Sequence, residues 1–362
     1  MVGENMEDST AGDGRSVKRR LCLWLVPLAV LLAAAAIWDL WSARHPERER
    51  DLRVVVQERL SRWFPEAMSL PAELEGFVPR SEIFEDGEPP SVIMLHGLDE
   101  PGGVFDELAA ALDASGINGW EFRYPNDQAV DHSADLLAEY WLELPAGSPV
   151  VLIGHSMGGL VIRDFVSRWR YPEDEGISVG GAEVRGVILV ATPNQGSEWA
   201  RLRSWLELRE FAADISAGRF SLFAGLRDGT GAAKIDLRPD SRFLAQLNAR
   251  PWPDQVPIVI IGGQLSEPTA AMTRSLQALA SEFGDESLAR VLRRWWVETI
   301  QQLGDGVVPE ESLRLADAPE PLILPASHRG LLVTMPGGES PPPAIAPILD
   351  QLVAWDVADP PD

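Results

Sequence analysis

The 362-residue chain has one cysteine, Cys22. A lone thiol can close no internal disulfide and build no thiolate metal site, so the fold must be held by packing and hydrogen bonding. Lysine is nearly missing: Lys18 and Lys234 are the only two, and every other basic side chain is arginine. Histidine is scarce as well, at five residues, which lets any imidazole-dependent chemistry be traced by elimination. Positive charge is in deficit overall. The chain carries 31 basic against 55 acidic residues, a formal charge of −24. Residues 1–50 hold seven of each sign, so the whole excess lies in the remainder, 24 against 48. A body this acidic argues against a nucleic-acid partner and against attachment of its surface to anionic lipid.

Apolar residues are plentiful, at 45 %, over a length that supports one large domain. Residues 21–41 read LCLWLVPLAVLLAAAAIWDLW, with Asp39 as the one charge. A run of about 20 such residues suits a membrane-spanning helix. Arg15, Lys18, Arg19 and Arg20 precede it, and Trp38 and Trp41 fall where interfacial aromatics sit. The expected organisation is a cytoplasmic tail over 1–20, a transmembrane anchor over 21–41, a juxtamembrane helix and linker over 42–90, and a folded domain over 91–362. This describes a single-pass membrane protein with its folded domain on the extracytoplasmic side. A cleaved signal peptide is the alternative, since residues 33–36 are four alanines behind a leucine-rich stretch. Either reading sends the body across the membrane. Protein partners leave no mark in the sequence.

After the anchor, Leu52, Val56, Leu60 and Phe64 recur at helical spacing, and a proline-rich linker runs through Pro71 and Pro79 to Pro90. Beyond it, short apolar runs at 92–95, 120–124, 150–153, 187–191, 257–261 and 321–324 alternate with amphipathic stretches at 105–112, 131–144 and 160–169. Strands alternating with helices predict an α/β architecture: a mostly parallel sheet of about six strands, flanked by helices on both faces. Right-handed crossovers then gather the C-terminal strand ends on one rim, where ligands bind. Two stretches break the alternation. Residues 197–250 carry Trp199, Leu202, Trp205, Leu206, Phe211, Phe220 and Phe223, too apolar for a plain loop, and 265–303 carry Trp295 and Trp296. A last helix is expected over 344–353.

Residues 150–160 read VVLIGHSMGGL, placing Gly154-His155-Ser156-Met157-Gly158 between a β-branched run and an amphipathic helix. A serine presented above a sheet needs such a tight strand-to-helix turn, with glycines where a side chain would collide. Its hydroxyl is a poor nucleophile without a base. Of the histidines, His45 lies beside the anchor, His96 follows the first run, His132 begins a helix and His155 adjoins the serine. His328 follows the last run and is the only histidine downstream of Ser156. An acid must hold that imidazole. Asp305, between Gly304 and Gly306, is the first choice, with Asp285 and Asp317 in reserve. Two backbone N–H groups would bind an oxyanion: Met157 after the serine, and Leu98 in the Leu95-His96-Gly97-Leu98 turn.

The segments VIMLHGL at 92–98, GHSMGG at 154–159, ATPNQGS at 191–197, GDGVVP at 304–309 and SHRGLL at 327–332 together resemble the lipase/esterase branch of the α/β-hydrolase superfamily. The resemblance covers about residues 90–355. It implies a serine hydrolase cleaving carboxylic esters with Ser156, Asp305 and His328 as triad, without metal or organic cofactor. It also implies a lid over 197–250; the helical spacing of Leu202 and Trp205, with Trp199, would turn an apolar face toward a small-molecule or lipid ester, and a helical insertion that only completes the core is the alternative. Acyl transfer, thioester or amide cleavage would use the same triad, and a silent binding module is the reading from another class. The family's fuller sheet has eight strands; this sequence shows no evident strand before Val92.

Overall fold

In a computed structural model the alternating runs form a seven-stranded sheet with helices on both faces. The structure describes residues 40–68, 70–71, 75–198, 230–265 and 304–357, together with isolated positions between 30 and 38. Short gaps fall at 82, 85–86, 99, 101–102, 174–177, 317 and 336–339. The chain divides into two units, residues 1–49 and 50–362. In the first, the His45 ring stacks on Trp41 with centroids 5.7 Å apart. Among the described residues no helix is long and apolar enough to cross a membrane. The expected anchor, 21–41, lies for the most part outside the described residues.

The strands are β1 (Gly76–Pro79), β2 (Val92–Leu95), β3 (Gly119–Arg123), β4 (Pro149–His155), β5 (Glu183–Val190), β6 (Ile258–Gly263) and β7 (Leu322–Leu324). The main helices are α1 (Pro46–Trp63), α2 (Asp106–Ala114), α3 (Val130–Trp141), α4 (Met157–Asp164), α5 (Ala232–Asp236), α6 (Arg242–Ala249) and α7 (Ile345–Ala354). The sheet order is β1-β3-β2-β4-β5-β6-β7, parallel throughout except for the antiparallel β1–β3 pair. Side chains alternate between the faces, as the strand period of two requires. Val92, Met94, Val151, Ile153, Ile188 and Val190 enter one core with α2 and α7, while Ile93, Leu95, Leu152, Val187 and Leu189 enter the other with α3 and α4. Burial on both faces is why these strands read as continuous apolar runs.

Seven strands stand where about six were expected. The added one, β1, has four residues, ends in Pro79 and pairs from Gly76↔Arg123 to Pro79↔Trp120. At the sheet's edge a proline sacrifices no ladder bond on its open side, and four residues are too few to show a period. The proline-rich linker therefore hides a strand.

The order of connection positions the site. From β2 the chain passes outward to β3, then returns to place β4 on the other side of β2. The helix after β2 covers one face and the helix after β4 covers the other. Their loops part at the C-terminal ends of β2 and β4, and a crevice at such a switch point is where open α/β sheets bind ligands.

Helix α1 is fixed to this body by ion pairs. Arg50 donates through Nε and Nη2 to Asp236 and through Nη2 to Asp131 at 2.7 Å, while the Val130 amide donates to Asp236 at 3.0 Å. Asp236 is fully buried, and burial raises its carboxyl to about 7 against the opposing pull of Arg50. Arg50→Leu strands that carboxyl without its fork and is expected to cost about 3–5 kcal/mol. A lower urea midpoint at unchanged slope checks this; a loss below about 1 kcal/mol would show a pair no stronger than a surface one.

Candidate active site

Strand β4 ends at His155 and α4 begins at Met157, so Ser156 alone makes the turn. Its backbone lies at φ 55°, ψ −125°, a region that costs a non-glycine residue about 1–3 kcal/mol and persists only when its surroundings enforce it. Here they do: the Ser156 amide donates to the Val190 carbonyl at 2.8 Å, and the strand and helix fix both ends. The helix must also pass very close to the sheet. A Cβ on Gly158 would fall 2.2 Å from the Leu95 carbonyl oxygen. Gly158→Ala must push α4 off β2 and is expected to lose about 1–3 kcal/mol, read by urea denaturation. An unchanged midpoint would show that the turn relaxes freely.

The loop after β2 lies directly on Ser156. A Cβ on Gly97 would sit 2.8 Å from Ser156 Cβ and 3.3 Å from Oγ, so only glycine permits this approach. The loop is held by His96, whose buried ring stacks on Tyr124 at 4.4 Å and whose carbonyl accepts from the Tyr124 hydroxyl. Burial lowers the His96 imidazole, which favours its neutral form. Leu98 follows, its side chain packed against the α3/α4 core. Met157 is buried and is the first residue of α4, so its N–H has no acceptor within the helix.

Across the crevice, Asp305 and His328 meet. His328 Nδ1 lies 2.8 Å from Asp305 Oδ2. The other carboxylate oxygen accepts the Val307 and Val308 amides at 2.8 and 2.7 Å, and the His328 amide donates to the Asp305 carbonyl at 3.0 Å. Asp305 is 3 % exposed. The pair is therefore oriented by backbone on both sides, and Arg329 pairs with Glu100 to join this loop to the one after β2. The Ser156 hydroxyl makes no hydrogen bond to a described residue.

His155, set aside from the sequence as a mere neighbour, links Ser156 to this pair. Its Nε2 is 3.2 Å from the His328 carbonyl oxygen, and the two rings lie 4.8 Å apart. Burial, with the nearby His328 adding to it, lowers the His155 imidazole to about 3. It is thus neutral at working pH, and Nε2–H donates to the carbonyl. A second brace was also missed. Arg163 on α4 is buried and donates to Asn194 at 3.1 Å and Asn248 at 2.8 Å, holding the loop after β5 to α6. The NQGS segment signalled the loop, but no sequence spacing reveals its partner.

The structure pairs Asp305 with His328, sets the Gly97 turn that precedes Leu98 against Ser156, and links His155, between Gly154 and Ser156, to the His328 carbonyl. Trp199, Leu202 and Trp205, and the reserve acids Asp285 and Asp317, lie outside the described residues. Among the described residues no cluster of three or more His, Cys, Asp or Glu side chains is placed to hold a metal. A cleft of about 500 Å³ between Arg170, Tyr171, Trp252 and Asp254 lies where the chain enters β6. That is the rim opposite Ser156, away from the switch point.

A sheet of this order, with a strained serine at the β4–α4 turn, defines the class, and comparison gives the family. The model of the alpha/beta hydrolase family matches residues 92–358, and the chain belongs to that family. No curated protein matches the sequence. Among solved structures, the Staphylococcus hyicus lipase aligns at 14 % identity over 76 % of this chain and 98 % of its own, with a TM-score of 0.50. The mature lipase of Bacillus licheniformis aligns at 16 % identity over 75 % and 97 %, TM-score 0.46. A metagenomic carboxyl esterase aligns at 19 % over 75 % and 80 %, TM-score 0.47. At such identity the Staphylococcus hyicus lipase speaks for the fold alone.

Proposed function

We propose that the protein is a membrane-anchored serine hydrolase that cleaves carboxylic esters through an acyl-enzyme. One observation carries this: a serine held at positive φ whose neighbour His155 is bound to the carbonyl of His328, an imidazole whose Nδ1 is 2.8 Å from a buried carboxylate. With Asp305 accepting from Nδ1–H, the neutral His328 presents an unprotonated Nε2, the tautomer a general base needs. Ser156 Oγ attacks the ester carbonyl carbon as His328 takes its proton. The oxygen that becomes negative accepts from the Met157 and Leu98 amides. Collapse of the intermediate expels the alcohol, which receives the proton back from His328. Water then adds to the acyl-serine with His328 again as base, releasing the acid and restoring the hydroxyl. No step needs a metal or organic cofactor.

The substrate reading rests on sequence. The apolar segment 21–41 holds the enzyme at a membrane on the extracytoplasmic side, and Trp199, Leu202 and Trp205 supply apolar surface to an acyl chain. Nitrophenyl esters of rising chain length test this with one panel. The expected result is hydrolysis that improves from acetate toward longer acyl chains, with Trp205→Ala losing far more on long chains than on acetate. No turnover of any ester would overturn the reading; equal losses with a lowered melting temperature would make Trp205 a packing residue.

A further inference from the structure

We propose that the outward face of α1 is a membrane-docking surface that seats the hydrolase domain on anionic phospholipid. The proposal rests on the membrane attachment proposed above and adds a second contact to it. Leu52, Val55, Val56, Trp63 and the adjoining Phe64 are exposed by 39–65 %. Beyond them the exposed large apolar side chains of the described domain are Ile83, Leu142, Leu322 and Met335, each alone in sequence. Scattered apolar residues need no explanation, whereas a cluster marks an interaction surface.

The cluster follows one helical stripe. At 100° per residue, with Leu52 as reference, Trp63 falls at about 20°, Val56 at about 40°, Arg59 at about 340°, Val55 at about 300° and Arg62 at about 280°. Within residues 50–63 this arc holds Leu, Val, Trp and Arg and no carboxylate. Asp51 and Glu58 fall beside it, at about 260° and 240°, and Asp51 is taken up by Arg242 at 2.7 Å. The opposite side carries Arg50, bound to Asp236 and Asp131, and Arg53, bound to the Thr230 carbonyl. The inner face is fixed to the domain, and the outer one carries the exposed apolar side chains.

Three features name that partner. An apolar stripe with an aromatic end and arginines is the pattern of helices lying in a lipid interface, where arginine stems bury and guanidinium groups reach phosphate. Residue 41 ends the apolar segment, so eleven residues of chain keep Leu52 within about 40 Å of it. A second copy is disfavoured, since a two-fold pairing centred on this stripe gathers Arg59 and Arg62 of both copies into one interface whose arc has no carboxylate to pair them. The acidic body does not forbid the contact, because charges more than about 8 Å away are screened at physiological salt.

The test uses the full chain with Cys22→Ser, labelled with an environment-sensitive fluorophore at Val56→Cys or, as control, at Leu142→Cys at the far end of α3. The chain is reconstituted into phosphatidylcholine vesicles with about 30 % phosphatidylserine and nitroxide lipid. Quenching at Val56 is expected to exceed that at Leu142 roughly threefold, and to approach the control in the Arg59→Glu/Arg62→Glu variant. That variant should hydrolyse a soluble ester at the parent rate. Equal quenching at both sites in chain that floats with the vesicles would overturn the docking face and leave attachment standing. Chain that does not float would overturn both. A lipid-free spectral shift that grows with protein concentration would overturn the proposal in favour of a second copy.

Discussion

Ser156→Ala is expected to lower kcat on a nitrophenyl ester by about six orders of magnitude. In the proposed mechanism the Oγ forms the acyl bond, and the variant lacks it. The hydroxyl makes no hydrogen bond to a described residue, so its removal leaves no stranded partner. Alanine inherits the same strained φ of 55°, and the turn, fixed by β4, α4 and the Val190 carbonyl, should keep its form. The melting temperature should therefore stay near that of the parent while turnover vanishes. A residual rate about 10³–10⁴ above water is compatible with the remaining amides. A variant keeping more than about a tenth of parent activity would contradict the role of Ser156.

The second large effect is expected for Asp305→Asn, about 10⁴ in kcat. The reason lies in which atom faces which partner. One oxygen of Asp305 accepts the Val307 and Val308 amides, and the other accepts from His328 Nδ1. An asparagine has one acceptor oxygen and one donor amide. The two backbone N–H groups claim the oxygen, which turns the NH₂ toward His328. That group can only donate, so Nδ1 becomes the acceptor and the proton moves to Nε2, where the base should be free. Asp285→Asn and Asp317→Asn should remain within a few fold of the parent. If either exceeded Asp305→Asn in cost, the acid would move to that residue while the family assignment stood.

Much of this was legible because the parallel core writes itself as apolar runs. The run at 92–95 coincides with β2, and the other five expected strands overlap observed ones, with β5 beginning earlier at Glu183. The serine turn was legible because close passage of helix over strand admits only glycine at Gly154 and Gly158. Elimination led to His328 because histidines are few. Features that depend on tertiary meeting were not legible. β1 is short, antiparallel and ends in proline, so neither period nor propensity marks it. The links from His155 to the His328 carbonyl and from Arg163 to Asn194 join residues 173 and 31 positions apart, and no local spacing encodes them. The charge balance of the whole chain likewise conceals the carboxylate-free arc on α1, which appears only once the inner face of the helix is known.

The account turns on whether Ser156 is an activated nucleophile, and covalent labelling reads that without any choice of substrate. The full chain is treated with a fluorophosphonate, digested and examined by mass spectrometry. The expected result is a single phosphonylated serine, Ser156, with labelling abolished in Ser156→Ala and slowed severely in Asp305→Asn. An unmodified Ser156 in folded protein, or modification spread over other serines at the same rate, would contradict the account.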